Sequence, residues 1–190
     1  MMQILRTTRH ANAACFAAVA LACLAGNAAA QTATSMEGLK LSNDQPIAIE
    51  SDQLEVRDQE HKAYFTGNVK VVQGTTTLQA GKMTVLYKSK ASGSAESSSI
   101  TSGGADIDKI FVDNSVYLMS GTQKATADKG EFDMAAQTFI LSGKQVVLSQ
   151  DTNVFTGCKL TVLMNTGEAK LESCGGPVRI MLDPKSQKKQ

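Results

Sequence analysis

The stretch Phe65-Thr66-Gly67-Asn68-Val69-Lys70-Val71-Val72-Gln73-Gly74 returns later in the chain as Leu141-Ser142-Gly143-Lys144-Gln145-Val146-Val147-Leu148-Ser149-Gln150. In the first copy the apolar residues at 65, 69 and 71 are separated by lysine and amides, which is the pattern of a β-strand with one dry face, and Gln73-Gly74 ends it in a turn. The second copy has one extra residue between Gly143 and Val146, which reads as a β-bulge. The flanks repeat as well. Ser51-Asp52-Gln53-Leu54-Glu55-Val56 precedes the first copy as Ala127-Asp128-Lys129-Gly130-Glu131-Phe132 precedes the second, and Lys82-Met83-Thr84-Val85-Leu86 follows as Lys159-Leu160-Thr161-Val162-Leu163 does. Equivalent positions lie 76 or 77 residues apart, the bulge making the difference. A fixed period of this kind signals stacked supersecondary units that cannot bury their apolar faces singly, so function is expected in the surface they share.

The chain opens with the pattern of an export signal. Arg6, Arg9 and His10 form a basic start, Ala11 to Leu24 is a small-residue apolar run, and Ala28-Ala29-Ala30 offers a cleavage site. The run is short for a membrane span. Residues 1–30 are therefore expected to be a cleaved secretory signal, which places the mature chain outside the cytoplasm. Loss of Arg6 and Arg9 leaves 17 Lys and Arg against 18 Asp and Glu, a net charge of −1. No basic field is left to attract nucleic acid.

Residues 31–45 are polar and weakly patterned, a flexible lead-in ending at Pro46. From there alternation of period two recurs in nearly every segment and helical periodicity is absent. Pro46, Pro177 and Pro184 are the only prolines, so residues 47–176 lack the residue that removes a ladder hydrogen bond. The pattern predicts strands at Ile47–Ile49 and Leu54–Val56, then at roughly 62–73, 76–88, 106–112, 115–120, 123–134, 137–149, 152–164, 168–173 and 177–182. Pairing around Asp58-Gln59-Glu60-His61 sets Val56 near Ala63 and Leu54 near Phe65. Residues 89–105 form a Ser/Gly-rich insertion, and 183–190 a polar, disordered tail. The domain proper is 46–182. Alternation assigns Ile47, Ile49, Leu54, Val56, Phe65, Val69, Val71, Phe132, Met134, Leu141, Leu148, Leu160 and Val162 to one interior face.

Catalytic chemistry finds little support. His61 is the one histidine beyond the signal, and it falls in a predicted loop. There is no Ser-His pairing, phosphate-cradling glycine loop or metal-ligand cluster, so the expectation is a chain that is not an enzyme and holds no cofactor or metal. Cys158 and Cys174 are a candidate disulfide, since export puts them where such bonds persist. A hairpin centred on Thr166 would set them opposite each other. A two-residue Thr166-Gly167 turn instead pairs Val162 with Leu171 and Met164 with Ala169, which offsets the cysteines by one position unless Gly175-Gly176 adds a bulge.

Three motifs in order carry a resemblance. Asp44-Gln45-Pro46-Ile47-Ala48-Ile49-Glu50-Ser51-Asp52-Gln53, then Phe65-Thr66-Gly67-Asn68-Val69 with Gln73-Gly74, and then Asp151-Thr152-Asn153-Val154 leading to Lys159-Leu160-Thr161, resemble the LptA (OstA-like) family. The likeness covers about 44–182. It implies an all-β fold, a twisted open β-jellyroll of consecutive antiparallel strands, in a lipopolysaccharide carrier of the periplasm. On that resemblance the interior face would shield lipid A acyl chains. The partners implied are lipopolysaccharide, a bitopic inner-membrane transport protein, an outer-membrane barrel translocon and further copies of the chain joined head to tail. From the residues alone, the alternative is a self-assembling structural or adhesive β-protein with a dry closed core.

Overall fold

The alternating segments form ten strands among the described residues: β1 (Ala48–Glu50), β2 (Gln53–Arg57), β3 (Lys62–Gln73), β4 (Thr76–Ser89), β5 (Ala105–Ser120), β6 (Gln123–Asp133), β7 (Thr138–Gln150), β8 (Asn153–Leu163), β9 (Ala169–Glu172) and β10 (Arg179–Met181). The computed structural model describes residue 41 and residues 44–89 and 105–184. The expected signal peptide, most of the lead-in, the stretch 90–104 and the tail from 185 lie outside the described residues. All ten strands belong to one unit, Ala33–Gln190.

Strands β3 to β8 run antiparallel in sequence order, each paired with the next. β1 and β2 both pair with β3, at its opposite ends, and β9 and β10 share β8 in the same way. Each edge of the sheet is thus made of two short strands.

The long strands do not run straight. The register slips between Thr66 and Val69, between Gln79 and Lys82, between Asp113 and Val116, between Thr126 and Lys129, and between Ser142 and Val146. These slips face one another across successive strands, so they form a single crease. The residues there suit it: Gly67 (φ 79°), Asn68 (φ 46°), Asn114 (φ 66°) and Ser115 (φ 62°) adopt left-handed backbone that glycine and asparagine tolerate best. The gap between β1 and β2 falls on the same line, where the Asp52 N–H donates to the Gly67 carbonyl at 2.9 Å. An open sheet can bury one face only by curling over it, and the crease divides this sheet into two arms that do so. One arm runs from β1 to β10 and the other from β2 to β9. Their inward side chains form one hydrophobic cluster.

Several expectations need correction. The strands expected at 106–112 and 115–120 are one strand, β5, because Asn114 and Ser115 absorb the break as a bulge without ending the ladder. The last hairpin is shifted by two residues: Val162 pairs with Ala169 and Leu160 with Leu171. Its loop is longer than the expected two residues. The Gly167 N–H (φ 72°) donates to the Leu163 carbonyl at 2.8 Å, while Met164 is buried and its N–H reaches the Gln137 carbonyl at 2.7 Å. The lead-in, expected to be flexible to residue 45, contributes Leu41 to the core, and its Gln45 carbonyl accepts a 3.0 Å bond from Gln73 Nε2.

Candidate lipid-binding interior

The apolar face runs across the sheet from β1 to β9. In the β1/β10 arm it is built from Val69, Val71, Leu78, Val116, Leu118, Ala125, Val146 and Leu148, and in the β2/β9 arm from Phe65, Met83, Val85, Ile110, Val112, Phe132, Phe139, Leu141, Leu160 and Val162, all buried. Phe132 and Phe139 pair across β6 and β7 and stack with centroids 5.4 Å apart, an arrangement that contributes about 0.5–1.5 kcal/mol beyond area burial.

Of the residues assigned to the interior from alternation, Phe65, Val69, Val71, Phe132, Met134, Leu141, Leu148, Leu160 and Val162 are buried together, and Ile47, Ile49 and Val56 are half-buried against them. Leu54 is the exception at 52% exposed. It lies directly across from Phe65 and so points to the same side, but β2 is an edge strand with no neighbour to cover it. The assignment missed Leu78, Met83, Val85, Ile110, Val112, Val116, Leu118, Phe139 and Val146. Their signal was present as alternation within β4, β5 and β7, but the crease changes its phase.

Crossing the crease, inward positions switch from 78 and 80 to 83 and 85 in β4, from 125 and 127 to 130 and 132 in β6, and from 141 to 146 in β7. Two equivalent contacts of the sequence repeat pin it. Asp52 packs against Gly67 and accepts a 2.9 Å bond from Asn68 Nδ2. Asp128 packs against Gly143 and accepts the Lys144 N–H at 2.7 Å.

The outer face is laced with charge. Lys109 bridges Asp133 at 2.7 Å and Glu131 at 3.2 Å, and Glu172 meets Lys170 at 3.0 Å and Lys159 at 3.6 Å. Hydrogen bonds to Asp133 and then Glu131 raise the Lys109 pKa, and the bond from Lys109 lowers that of Asp133. Such partly exposed surface pairs add little stability and mainly keep this face wet. At the free end of the β2/β9 arm, Tyr87 is buried and its hydroxyl donates to Asp58 Oδ1 at 2.6 Å. Burial, then the Asp58 carboxylate, pushes its pKa up to about 12.

The C-terminal edge differs from the N-terminal one. Val178, Ile180, Met181 and Leu182 are exposed on and beside β10. Cys158 on the crease is joined to Cys174 by a disulfide with Cα atoms 5.8 Å apart. β9 leaves the ladder after Glu172, and this departure frees Cys174 from the strand's alternation. The bond fastens the linker between β9 and β10 to β8.

A creased, open antiparallel sheet with a continuous apolar interior, a charged exterior and an unpaired edge at each end defines a twisted open β-jellyroll. Comparison with known proteins gives it a family. The chain belongs to the LptA/(LptD N-terminal domain) LPS transport protein family, whose model matches residues 48–168. It is 60% identical over 169 residues to an uncharacterized protein of Rhizobium meliloti (strain 1021), covering 88% of each chain. It is 31% identical over 138 residues to lipopolysaccharide export system protein LptA of Escherichia coli (strain K12), covering 68% of this chain and 65% of that one. Among solved structures it is similar to LptH of Pseudomonas aeruginosa, described as the LptA homologous periplasmic component of the conserved lipopolysaccharide transport device. The TM-score is 0.59 at 18% identity, covering 75% of this chain and 98% of LptH, a likeness of fold.

Proposed function

We propose that this chain is a periplasmic carrier of lipopolysaccharide that shields lipid A acyl chains along its apolar face and joins further copies head to tail. The observation that carries the reading is continuity: the apolar face runs from β1 across the long strands to β9, and the sheet ends in an unpaired edge on either side, so a copy added at an edge would prolong it. The edges are unlike, one flanked by Leu54 and the other by Ile180 and Met181, so pairing between copies is heterologous and generates an open filament. Placement in the periplasm is supported by the expected export signal, by family membership and by the periplasmic origin of LptH.

The physics of the cargo fits. Each methylene exposed to water costs about 0.8 kcal/mol, so several acyl chains of a dozen carbons cost tens of kcal/mol unshielded. The interior side chains pack against one another, so acyl chains enter as the arms part, with the crease as hinge. This requires no catalysis by the chain. Directional movement draws its energy from elsewhere, in this reading from an ATP-driven transporter whose bitopic inner-membrane partner meets one edge while an outer-membrane barrel meets the other.

The test is lipid extraction and mass spectrometry of protein purified from the periplasm. Co-purified lipopolysaccharide is expected, whereas a scaffold with a sealed core would be lipid-free. Sedimentation over a wide concentration range should show association that is lost on truncation after Gly176 in a still-folded chain. A strict monomer at every concentration refutes the assembly.

A further inference from the structure

We propose that a row of uncharged side chains along one lip of the jellyroll is a contact site for the saccharide head of an acylated glycolipid. The inference rests on the carrier reading and adds a second site to it. In the β1/β10 arm, the inward-facing position next to the turns is polar on each of six consecutive strands: Gln73, Thr76, Ser120, Gln123, Gln150 and Asn153. The ladders pair them one after another, Gln73 with Thr76, Thr76 with Ser120, Ser120 with Gln123, Gln123 with Gln150, and Gln150 with Asn153. At about 4.8 Å between strands the row is about 24 Å long. Two residues deeper the same strands carry Val71, Leu78, Leu118, Ala125, Leu148 and Phe155, so the change from apolar to polar is a single line.

A core sealed for good gains nothing from this row. Gln73, Thr76, Ser120 and Gln123 are buried, and an uncharged polar group withdrawn from water costs about 1–3 kcal/mol where it is left unbonded. Apolar side chains of the same size would avoid that exposure to risk. The row is also held in place. Thr76 Oγ1 donates to Ser120 Oγ at 3.2 Å, Gln73 Nε2 donates to the Gln45 carbonyl at 3.0 Å, and Asn153 Oδ1 accepts the Asp183 N–H at 3.0 Å. Its two ends are thereby tied to the segments that enter and leave the sheet. The rim of the other arm carries Ile107, Met134 and Met164 beside Tyr87, whose hydroxyl is bonded to Asp58, so the mouth has one lip of uncharged polar groups and one that is mainly apolar.

The chemistry of the row selects its ligand. Amides and hydroxyls both donate and accept, as sugar hydroxyls and acylamide groups require, and none of the six bears a charge that would hold a phosphate. Each hydrogen bond is worth about 0.5–1.5 kcal/mol net, and the same groups recur at every strand. A saccharide head can therefore exchange partners strand by strand while its acyl chains stay below.

The experiment compares two probes on the mature protein: rough lipopolysaccharide, and a dansyl fatty acid that has an acyl chain but no sugar. Thr76→Val combined with Gln123→Leu should weaken lipopolysaccharide binding about tenfold, equivalent to one or two lost bonds. Affinity for the dansyl fatty acid should be unchanged, and the loss should be equal at low and high salt. Equal weakening of both probes, no weakening for lipopolysaccharide, or a loss that vanishes at high salt would overturn the proposal. Should the double variant unfold, Gln150→Leu at the half-buried end of the row supports the same comparison, with about threefold expected. Wild-type protein that takes the fatty acid but not lipopolysaccharide overturns the saccharide site and leaves the apolar interior standing. Protein that takes neither overturns the carrier reading and the row with it.

Discussion

A single methyl group added at Gly143 probes how the crease is held. A Cβ there would lie 2.6 Å from Asp128 Cγ and 2.8 Å from Asp128 Cβ, against the 3.5–4.0 Å at which non-bonded carbons settle. The carboxylate cannot swing aside freely, because Asp128 Oδ2 accepts the Lys144 N–H at 2.7 Å. Gly143→Ala therefore combines overpacking of about 1–3 kcal/mol with a lost hydrogen bond of about 1 kcal/mol, about 3 kcal/mol in all. Asp128→Ala alone removes the bond and should cost about 1 kcal/mol. In the double variant the carboxylate is gone, while the Cβ that alanine keeps at 128 still lies 2.8 Å from the new methyl, so the cost should fall from the additive value of about 4 kcal/mol to about 2 kcal/mol, a coupling of about −2 kcal/mol. The equivalent pair behaves differently. At Gly67 a Cβ would lie 2.9 Å from Asp52 Cγ, but φ is 79°, so Asp52→Ala should relieve the contact with Cγ and leave in Gly67→Ala both the 3.0 Å contact with the retained Cβ and about 1 kcal/mol of backbone strain. Urea unfolding of the four single variants and two doubles, at constant m, measures both cycles. Additive costs at 128 and 143 would refute the contact as the cause, and full rescue at 67 would refute the backbone argument.

Phe132→Ala should cost about 3–5 kcal/mol because the side chain is fully buried against Phe139, whereas Glu131→Gln, half-exposed on the outer face, should change stability by less than about 0.5 kcal/mol; urea midpoints check both. Replacing Cys158 and Cys174 by serine should cost about 3 kcal/mol, as expected for a loop closed over 16 residues, and leave lipopolysaccharide binding intact; a folded double-serine variant that no longer binds would contradict this. Tyr87 has a pKa raised to about 12 in the folded chain, above its ordinary value near 10, so its contribution is complete below pH 10 and is lost as pH rises toward 12. Stability of the wild type should fall more steeply than that of Tyr87→Phe over that alkaline interval, and parallel profiles would remove Tyr87 from the account.

Strand positions were legible because a half-buried sheet writes period two into the chain, and β3 was expected at its observed bounds. The pairing of Val56 with Ala63 and Leu54 with Phe65 was legible too, since the loop after Arg57 is short. Most of the interior was harder to read. Alternation gives the facing of a strand only up to the next irregularity, and here the phase changes at Gly81 in β4, at Asp128 in β6 and around Lys144 in β7. The exposure of Leu54 depends on there being no strand beyond β2, which is a fact of topology. The register of the final hairpin was set by Met164 turning back to the Gln137 loop, a contact between residues far apart in the pattern. The polar row escaped notice because its members lie on six strands and are brought into line only by pairing.

The division of each edge into two short strands has a consequence for what can attach there. β1 and β2 meet at Ser51-Asp52, and β9 and β10 are separated by residues 173–178, so neither edge offers one uninterrupted line of donors and acceptors. An extended segment from a misfolded neighbour, lying straight, can satisfy one half of an edge and must leave the other half unmet. A strand bent at the same place can satisfy both. The crease thus disfavours straight strands at either edge and so guards an exposed sheet against indiscriminate aggregation, whereas a copy joined head to tail, as proposed above, would present an edge already bent at the matching place.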